Sequence, residues 1–348
     1  MKHRIVYQRG LYDKTETLSK CESTNHPSTA DTMRKNQNHN GPGKLTVKDI
    51  TSMKMKQEKI CVLTSYDYCF ASICDSEGID ILLVGDSGGM VMLGYESTIP
   101  VSMHEMMVFS KAVAKATKRA LVVGDMPFGS YQISVQNAIK NSISLIKSGC
   151  DAVKLEGGIE IVDTVKAMTS VGVPVMGHIG LKPQTTKLWE GYRIQGKTAE
   201  SALKLISDAN ALEQAGVFGL VLEMVTDEVA EIITRNLSIP TIGIGSGSSC
   251  DGQVLVLHDM LGIYKNINPK FVKHYAELSG TISNAVTKYI QEVKSSVFPA
   301  TVHSFHMDRS GFDQLHDSLI GKREEKTKGK KKMLTKTRNG VDPLAGKQ

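Results

Sequence analysis

The chain contains four apolar runs of strand-forming residues that each stop at a carboxylate. The four carboxylates are Asp86, Asp125, Glu156 and Glu223. Parallel strands end at the same edge of a sheet, so these acids are predicted to gather at one mouth. Crowded carboxylates repel one another unless a cation lies among them or one of them holds a proton. The pattern therefore predicts a divalent metal site and a general base.

The types of these acids indicate which metal they suit. Mg²⁺ is usually held by one or two carboxylates together with water and substrate oxygens. Asp86 and Asp125 match that preference, and Glu156 is placed to hold the metal's waters as a third acid. Zinc sites usually contain histidine or cysteine, and the cluster offers only His178. The predicted metal is therefore magnesium.

Lys154 lies two residues before Glu156, so on a strand both side chains point to the same face. A lysine beside a metal and carboxylates can bind an anionic substrate or an enolate oxygen. A structural ion pair with one of the acids is the alternative. Nearby acids raise the pKa of a lysine, which argues against the neutral amine that a Schiff-base mechanism needs. Ser87, directly after Asp86, is expected at the same mouth.

Two further strand-end residues are candidates for handling protons or substrate. Glu223 has no cation beside it in the sequence, so its carboxylate is the predicted general base. Capping the helix that begins near Asp227 is the alternative for this glutamate. His178, in VMGHIG, is placed to orient a substrate oxygen, and a buried structural histidine is the other interpretation.

These parts together predict one class of reaction. A metal chelated by a 2-oxo acid acidifies the carbon next to the carbonyl, a base removes its proton, and the enolate attacks an electrophile. The residues themselves do not identify the electrophile.

Short apolar runs alternate with helix-length segments through most of the chain. Eight runs have the length and composition of buried strands, at 61–66, 80–85, 120–124, 151–155, 173–177, 218–222, 239–244 and 253–257. Helical patterns fall between most of them, at 103–118, 135–148, 159–170, 198–215 and 226–236, and the segment 270–293 predicts a closing amphipathic helix. This α/β alternation over about 260 residues is typical of a (β/α)8 barrel of the TIM type. A doubly wound sheet would place a Gly-rich phosphate loop after the first strand, where SYDYCFAS has none.

Charge divides the chain into a body and two tails. Residues 1–43 carry 7 basic and 4 acidic residues, residues 308–348 carry 11 and 6, and residues 44–307 carry 24 and 26. We expect a (β/α)8 catalytic domain over 44–307, a disordered or targeting extension over 1–43, and a basic, disordered tail over 308–348. A polyanion-binding or nuclear-signal role is the alternative for the tail. The body has no basic excess of the kind that favours nucleic-acid binding.

The location of the protein is predicted from three features. No apolar stretch of the sequence reaches the roughly 18–20 residues that cross a bilayer, so no membrane attachment is expected. Six cysteines without CxxC spacing are typical of a reducing compartment. The basic opening MKHRIVYQRGLY leaves a mitochondrial presequence conceivable, although acids follow from Asp13 onward. The predicted location is cytoplasmic or mitochondrial.

Ten segments carry a resemblance to a known enzyme family. In chain order they are TSYDYCFA (64–71), LLVGDSGGM (82–90), GDMPFGSY (124–131), VKLEGG (153–158), GHIGLKPQ (177–184), GYRIQGKT (191–198), VLEMV (221–225), IPTIGIGSG (239–247), DGQVLVLHD (251–259) and HSF (303–305). On these segments the chain resembles the ketopantoate hydroxymethyltransferase (3-methyl-2-oxobutanoate hydroxymethyltransferase) family of pantothenate and coenzyme A biosynthesis. The resemblance runs from about Leu45 to His306.

The resemblance implies a (β/α)8 barrel in a large homo-oligomer, which is decameric in characterised members. It implies transfer of a hydroxymethyl unit from 5,10-methylenetetrahydrofolate to 3-methyl-2-oxobutanoate, giving 2-dehydropantoate through a Mg-stabilised enolate. The implied roles are Mg²⁺ binding for Asp86, Asp125 and Glu156, contact with the oxo acid for Asp86, Ser87, Asp125 and Lys154, and proton acceptance for Glu223.

The chain departs from the family pattern at a few positions. Lys182 stands where the family commonly has threonine in GLTPQ, and Thr226 replaces the proline usual three residues after the glutamate. Ser248, Ser249 and Cys250 give the Gly-rich loop an unusual end. An additional lysine near the mouth can alter folate or substrate binding.

Two other functions compete with this interpretation. A metal-dependent carbon–carbon enzyme of the isocitrate lyase and phosphoenolpyruvate mutase group would also use clustered acids and Mg²⁺. The lyases of that group share a Lys-Lys-Cys-Gly-His segment, which this chain lacks. A former enzyme kept as a scaffold, with basic tails that bind polyanions, is the second competitor. The presence of all the acids and of Lys154 argues against lost catalysis.

Overall fold

The computed structural model describes residues 43–188, 193–264 and 269–338. It contains eight strands, which are β1 (Ile60–Thr64), β2 (Ile81–Val84), β3 (Leu121–Asp125), β4 (Ala152–Glu156), β5 (Val175–Gly180), β6 (Gly219–Glu223), β7 (Thr241–Ile244) and β8 (Gly252–Leu255). Each of the eight strand runs predicted from the sequence is present, with small shifts at the ends.

The strands form a closed parallel barrel in chain order. Each strand pairs in parallel with the next one, and β8 pairs in parallel with β1 to close the sheet. Parallel strands in this order point all their carboxyl ends to one mouth, where active sites of such barrels lie. The predicted (β/α)8 architecture is therefore confirmed.

Helices connect the strands and surround most of the barrel. They are α1 (Val47–Met55), α2 (Tyr68–Ser76), α3 (Gly88–Val91), α4 (Met103–Ala116), α5 (Val135–Lys147), α6 (Val162–Ser170), α7 (Ala199–Gln214), α8 (Asp227–Asn236), α9 (Leu257–Met260), α10 (Leu278–Lys294) and α11 (Arg309–Arg338). Short 3₁₀ segments cover Ile159–Ile161, Pro183–Leu188 and Thr301–His303.

Two apolar clusters hold the barrel together. One fills its interior with inward-pointing strand residues such as Val62, Val123 and Val254. The other lies between the outer face of the sheet and the helices, and includes Leu82, Val122 and Leu155. Both faces of β2 to β6 are covered, which is why these strands read as continuous apolar runs rather than as alternating patterns.

Side-chain caps set where several helices begin. Ser102 accepts a hydrogen bond from the backbone of Glu105, whose carboxylate accepts one from the backbone of Ser102, a capping box that begins α4. Asp67 caps α2 through the backbone N–H groups of Cys69 and Phe70. The sequence analysis did not predict α2, and Asp67 was the signal that could have found it.

The helix expected to close the barrel is present but does not cover it within one chain. Helix α10 has no buried residue, and its apolar side chains Ile282, Val286 and Ile290 are exposed. On the outer wall of the barrel, Cys61 of β1 and Gln253 of β8 are also exposed. In a (β/α)8 barrel the helix after β8 is expected to cover this wall. Helix α10 does not cover it within the chain.

The two tails are only partly described. The extension over residues 1–43 lies outside the described residues except for Gly43. The described part of the C-terminal tail contains α11, where the sequence analysis expected a disordered segment. Its richness in lysine, which favours helices, accounts for this difference. Among the described helices, none has the length and apolar character needed to span a membrane.

Candidate active site

Five neighbouring strands bring the predicted site residues together at the carboxyl-end mouth. Asp125, Glu156 and Glu223 are the last residues of β3, β4 and β6. His178 lies in β5, directly opposite Glu156 in the strand register. Hydrogen bonds and ion pairs connect six of the predicted residues, which are Asp86, Asp125, Lys154, His178, Glu156 and Glu223. Ser87 directly follows Asp86 at the same mouth.

Asp86, Asp125 and Lys154 form one side of the site. The backbone N–H of Asp86 donates to Oδ2 of Asp125 at 3.2 Å. Nζ of Lys154 lies 2.9 Å from Oδ1 of the same carboxylate, and both side chains are buried. The ion pair considered as an alternative for Lys154 is thus present.

The crowding of charge changes the pKa values at this mouth. Burial, followed by the negative charge of Asp125, raises the pKa of Asp86 to about 7. Burial and the charge of Asp86 raise the pKa of Glu156 well above its ordinary value. Burial alone would lower the pKa of Lys154, but the carboxylates of Asp125, Glu156 and Asp86 raise it. The predicted direction for Lys154 is confirmed, and a protonated lysine cannot act as a Schiff-base nucleophile.

His178 lies between two acids on the other side of the site. Its Nδ1 is 3.6 Å from Oε1 of Glu156, and its Nε2 is 3.2 Å from Oε2 of Glu223. Burial, followed by the charge of Lys154, lowers the pKa of this imidazole. Glu223 is the most exposed acid of the set, with 16% of its side chain accessible. Its carboxylate therefore faces the mouth, whereas Glu156 lies deeper in the barrel.

The end of β6 is held in an unusual conformation beside Glu223. Gly180 of β5 has φ = +97°, and a Cβ there would lie 2.2 Å from the backbone oxygen of Glu223. Met224 follows with φ = 50°, a left-handed conformation uncommon for a residue with a side chain. Ser246, from the Gly-rich loop after β7, accepts from the N–H of Val225 and donates to the oxygen of Leu222. These contacts fix the backbone that carries the glutamate.

Ser87 is fixed by a buried tyrosine that the sequence analysis did not single out. The hydroxyl of Tyr66 donates to Oγ1 of Thr64 at 2.8 Å and lies 2.9 Å from Oγ of Ser87. Since the tyrosine proton is directed to Thr64, Ser87 is the donor in the second contact. The lone pairs of Ser87 then remain as acceptors for a partner at the mouth.

Gln184 is a second residue that sequence reasoning missed. It is 2% exposed and donates from Nε2 to Oδ2 of Asp86 and to the oxygen of Met126. The signal for it was its place at the end of the GHIGLKPQ segment. The position of this glutamine in the sequence does not by itself indicate a function. Its contact with Asp86 depends on how the loop after β5 folds over the mouth.

Two departures from the family pattern, Lys182 and Thr226, make contacts with other residues of the chain. Nζ of Lys182 is 2.8 Å from Oε1 of Glu160, which is an exposed ion pair. Although partial burial opposes it, the contact with Lys182 helps to lower the pKa of Glu160 to about 2. Thr226 begins α8 without a side-chain cap and instead donates to the oxygen of Gly196. Both residues therefore have local partners within the chain.

The donor set suits a magnesium ion in charge and in chemistry. Three buried carboxylates face a single buried ammonium group, and burial together with the neighbouring carboxylates raises the pKa of Asp86 and of Glu156. Among the residues that the structure describes, no three Asp, Glu, His or Cys side chains already converge as a coordination sphere. A cation held by one or two carboxylates plus water and substrate oxygens, as is usual for Mg²⁺, fits this arrangement.

A closed parallel barrel with acids, a lysine and a histidine at its carboxyl-end mouth defines a barrel enzyme. Residues 44–301 match the family described as ketopantoate hydroxymethyltransferase. The chain belongs to this family, as the resemblance predicted, and the predicted enzyme class is confirmed with it.

Relatives from archaea are similar over nearly their whole length. The chain is 55% identical over 274 residues to a protein of Nitrosopumilus maritimus, a match that covers 79% of this chain and 98% of the relative. It is 56% identical over 258 residues to a protein of Cenarchaeum symbiosum, covering 74% and 98%. Both relatives are named 3-methyl-2-oxobutanoate hydroxymethyltransferase.

Solved structures share the fold at low identity. A phosphonopyruvate hydrolase has a TM-score of 0.51 at 9% identity, covering 81% of this chain and 99% of the hydrolase. The phosphoenolpyruvate phosphomutase of Streptomyces platensis has a TM-score of 0.50 at 12% identity, covering 81% and 99%. At such identities the likeness concerns the barrel alone. The family match, rather than this shared fold, decides between the predicted family and the mutase and lyase group.

Proposed function

We propose that this protein transfers a hydroxymethyl unit from 5,10-methylenetetrahydrofolate to 3-methyl-2-oxobutanoate and gives 2-dehydropantoate. The observation that carries the proposal is the family match over residues 44–301, which includes every predicted site residue. The relatives' names support the acceptor and the transferred group. The acidic mouth with one buried lysine supports the chemistry, because it suits a chelating anionic substrate and a cation.

Glu223 is the proton acceptor in this proposal. It is the most accessible acid of the mouth, and its close neighbour in the site is the imidazole of His178 rather than a permanent cation. Its carboxylate can therefore take the proton from C3 of the oxo acid. The carbon–carbon bond then forms between C3 and the methylene carbon of the donor. Water supplies the hydroxyl oxygen as tetrahydrofolate leaves.

Asp86 and Asp125 would hold Mg²⁺, with Glu156 as the third acid of the site. When bound, the ion would supply the positive charge that makes C3 more acidic. Lys154 lies beside Asp125 and would balance negative charge on the substrate carboxylate or on the oxygen next to C3. Ser87, fixed by Tyr66, and His178, fixed between Lys154 and Glu223, would orient the oxygens of the oxo acid.

A product assay tests this proposal directly. Purified protein, Mg²⁺, 3-methyl-2-oxobutanoate and methylenetetrahydrofolate should give 2-dehydropantoate, identified by mass spectrometry. A matched reaction should contain tetrahydrofolate without the one-carbon unit, and it should give no product. Folded protein that forms no 2-dehydropantoate with the complete mixture would contradict the proposal.

We also propose that the working form is a homo-oligomer, a decamer as in characterised members of the family. The exposed apolar side chains of α10 and the uncovered wall at Cys61 and Gln253 support an assembly. Each copy offers both surfaces, so neighbouring copies can cover one another. Light scattering should give a mass several times the 37.9 kDa of one chain, and a monomer would contradict the proposal.

The division into domains and the location remain part of the proposal. We propose that residues 44–307 form the catalytic domain and that the segments outside it are not needed for chemistry. We further propose a cytoplasmic location, or a mitochondrial one if the basic opening segment is a presequence. A fluorescent fusion with and without residues 1–43 tests this, since only a presequence changes the location when it is removed.

A further inference from the structure

Gln184 donates hydrogen bonds to two of the predicted metal-site carboxylates, those of Asp86 and Glu156. Apart from the acids themselves, we find no other residue in the described parts of the chain that does so. Gln184 lies in the 3₁₀ segment Pro183–Leu188, directly after the loop that follows β5. Its side chain crosses the mouth to reach Asp86, which follows β2. The residue therefore spans strands that are not neighbours in the barrel.

The amide side chain of Gln184 uses its donors and its acceptor in different directions. Nε2 donates to Oδ2 of Asp86 and to the backbone oxygen of Met126, both at 2.9 Å. Oε1 lies 2.9 Å from the hydroxyl of Tyr131 and accepts from Nε2 of Gln132 at 3.4 Å. Reversing the amide would turn its oxygen toward a carboxylate and a carbonyl, so the partners fix the orientation.

The backbone of the same residue holds a second acid. The N–H of Gln184 donates to Oε2 of Glu156 at 3.1 Å. One residue therefore binds the carboxylate of Asp86 with its side chain and that of Glu156 with its main chain. Donors that bind both carboxylates help to fix the separation of the two acids.

Tyr131 completes the arrangement. Its hydroxyl accepts from the N–H of Glu156 at 3.2 Å. It lies 2.9 Å from both the oxygen of Glu156 and Oε1 of Gln184, and its single proton serves one of these acceptors at a time. This hydroxyl ties the amide of Gln184 to the end of β4, so the glutamine is itself held in place.

We propose that Gln184 is a positioning residue that sets the affinity of the acidic site for its divalent cation by fixing Asp86 relative to Glu156. The inference rests on the metal site of the proposed function. A neutral amide suits this task because it donates to the carboxylates without cancelling their charge, as a lysine would, and without adding a further charge, as a glutamate would. Partners of this kind orient metal ligands and commonly change metal affinity when removed.

A purely structural role predicts a different outcome. If Gln184 only packed the loop against the barrel, its loss would lower the melting temperature and leave cation binding unchanged. A positioning role predicts weaker cation binding in a variant that is still folded. Without the hydrogen bonds of Gln184, ordering the two acids around the cation would reduce the free energy of binding.

The test is a calorimetric titration of Mg²⁺ into the full-length protein without substrate. Gln184→Met keeps the length of the side chain and removes its hydrogen bonds, and we expect the dissociation constant to rise by roughly 10- to 100-fold. Gln214→Met is the matched control, because Gln214 is exposed at the end of α7 and lies in no proposed site or subunit contact. It should bind Mg²⁺ like the wild type.

The outcomes separate this inference from the proposed function. If the wild-type protein binds no Mg²⁺, the proposed metal site fails and the inference fails with it. If the wild type binds and Gln184→Met binds equally well, only the positioning role is overturned. A weaker affinity with turnover that recovers at high Mg²⁺ supports the inference.

A second variant keeps the test valid if Gln184→Met does not fold. Tyr131→Phe removes the hydroxyl that anchors Oε1 of Gln184, and it leaves both acids and the glutamine in the chain. We expect its Mg²⁺ affinity to fall by at least about fivefold, because the N–H of Glu156 and Oε1 of Gln184 both lose a hydrogen-bond partner. Unchanged Mg²⁺ affinity in folded Tyr131→Phe would contradict the role of the anchored amide.

Discussion

Nε2 of His178 lies 3.2 Å from Oε2 of Glu223, while Nδ1 lies 3.4 Å from Nζ of Lys154. A lysine ammonium group only donates, so Nδ1 is the acceptor and the ring proton is on Nε2. The lowered pKa of His178, caused by burial and then by Lys154, keeps the ring neutral. The contact with Glu223 is not aligned as a hydrogen bond. The imidazole therefore limits where the carboxylate can lie and leaves its lone pairs able to accept a proton.

This contact predicts that His178→Asn misplaces the base in addition to removing a donor to the oxo acid. We expect kcat to fall by roughly 10- to 100-fold, as when a reacting group is misplaced, and KM to rise by a smaller factor. Steady-state kinetics measures both constants. His104→Asn, on the exposed face of α4, is the matched control and should behave as wild type. A large rise in KM at normal kcat would show that His178 binds substrate without placing the base.

Replacing the base itself should have a larger effect. Glu223→Gln keeps the size of the side chain and removes its ability to accept a proton, so turnover should fall by roughly 10²- to 10⁴-fold. Calorimetry should show that the variant still binds Mg²⁺ and the oxo acid. Glu228→Gln, an exposed change in the first turn of α8, controls for the loss of one carboxylate near the mouth. Near-normal turnover in Glu223→Gln would exclude Glu223 as the general base.

Asp86→Asn tests the predicted metal ligand. An amide oxygen carries no net charge, so we expect the Mg²⁺ dissociation constant to rise by more than about 10-fold. Isothermal titration of metal-free protein measures this constant without dependence on activity. Asp163→Asn, exposed on α6, is the control. Equal Mg²⁺ affinity in Asp86→Asn and the wild type would exclude this aspartate from the ligand set.

The raised pKa of Asp86 predicts how the stability of the metal-free protein depends on pH. An ordinary aspartate titrates near 3.9, whereas Asp86 in the folded protein titrates at about 7. A raised pKa contributes stability that is complete below about pH 4 and is lost as the pH rises through about 7. We therefore expect the melting temperature of the metal-free protein to fall over this range.

Mg²⁺ should oppose the loss of stability at higher pH, because the cation supplies among the carboxylates the positive charge that the proton supplied. Thermal melts with EDTA and with Mg²⁺ should differ more at about pH 8 than at about pH 5. Asp86→Asn should show a shallower decline without metal. A stabilisation by Mg²⁺ that is equal at both pH values would contradict this account.

Removing both tails should leave the chemistry largely intact. Helix α11 is exposed over residues 309–330 apart from a partly covered position at Gly311, and no predicted site residue lies in either tail. A variant limited to residues 44–307 should retain most of the wild-type kcat. A second variant that ends at residue 277 also lacks α10, and it should change the oligomeric mass. A collapse of turnover in the first variant would show that the tails belong to the working enzyme.

The sequence was sufficient to predict the barrel and the acids, because the strands are short apolar runs and four of these runs stop at a carboxylate. Asp125, Glu156 and Glu223 are placed by strand ends, which periodicity locates to within a few residues. Gln184 and Tyr66 could not be found in this way. Their roles depend on loops and side chains that fold back over the mouth, and no local pattern encodes those contacts.

The eighth helix shows a different limit. The amphipathic pattern over 270–293 predicted a helix, and α10 forms there. The same pattern cannot tell whether the apolar side covers the chain's own barrel or another surface. Periodicity indicates which side of a helix is apolar, but the path of the preceding loop decides where that side lies.

The most direct test of the central claim is proton NMR of 3-methyl-2-oxobutanoate in D₂O with the wild-type protein, with and without Mg²⁺. The account predicts Mg²⁺-dependent loss of the C3 proton signal before any folate is added, and a rate that collapses in Glu223→Gln. Retention of the C3 proton by folded, Mg²⁺-loaded wild-type protein would contradict the claim that this mouth removes a proton from the oxo acid.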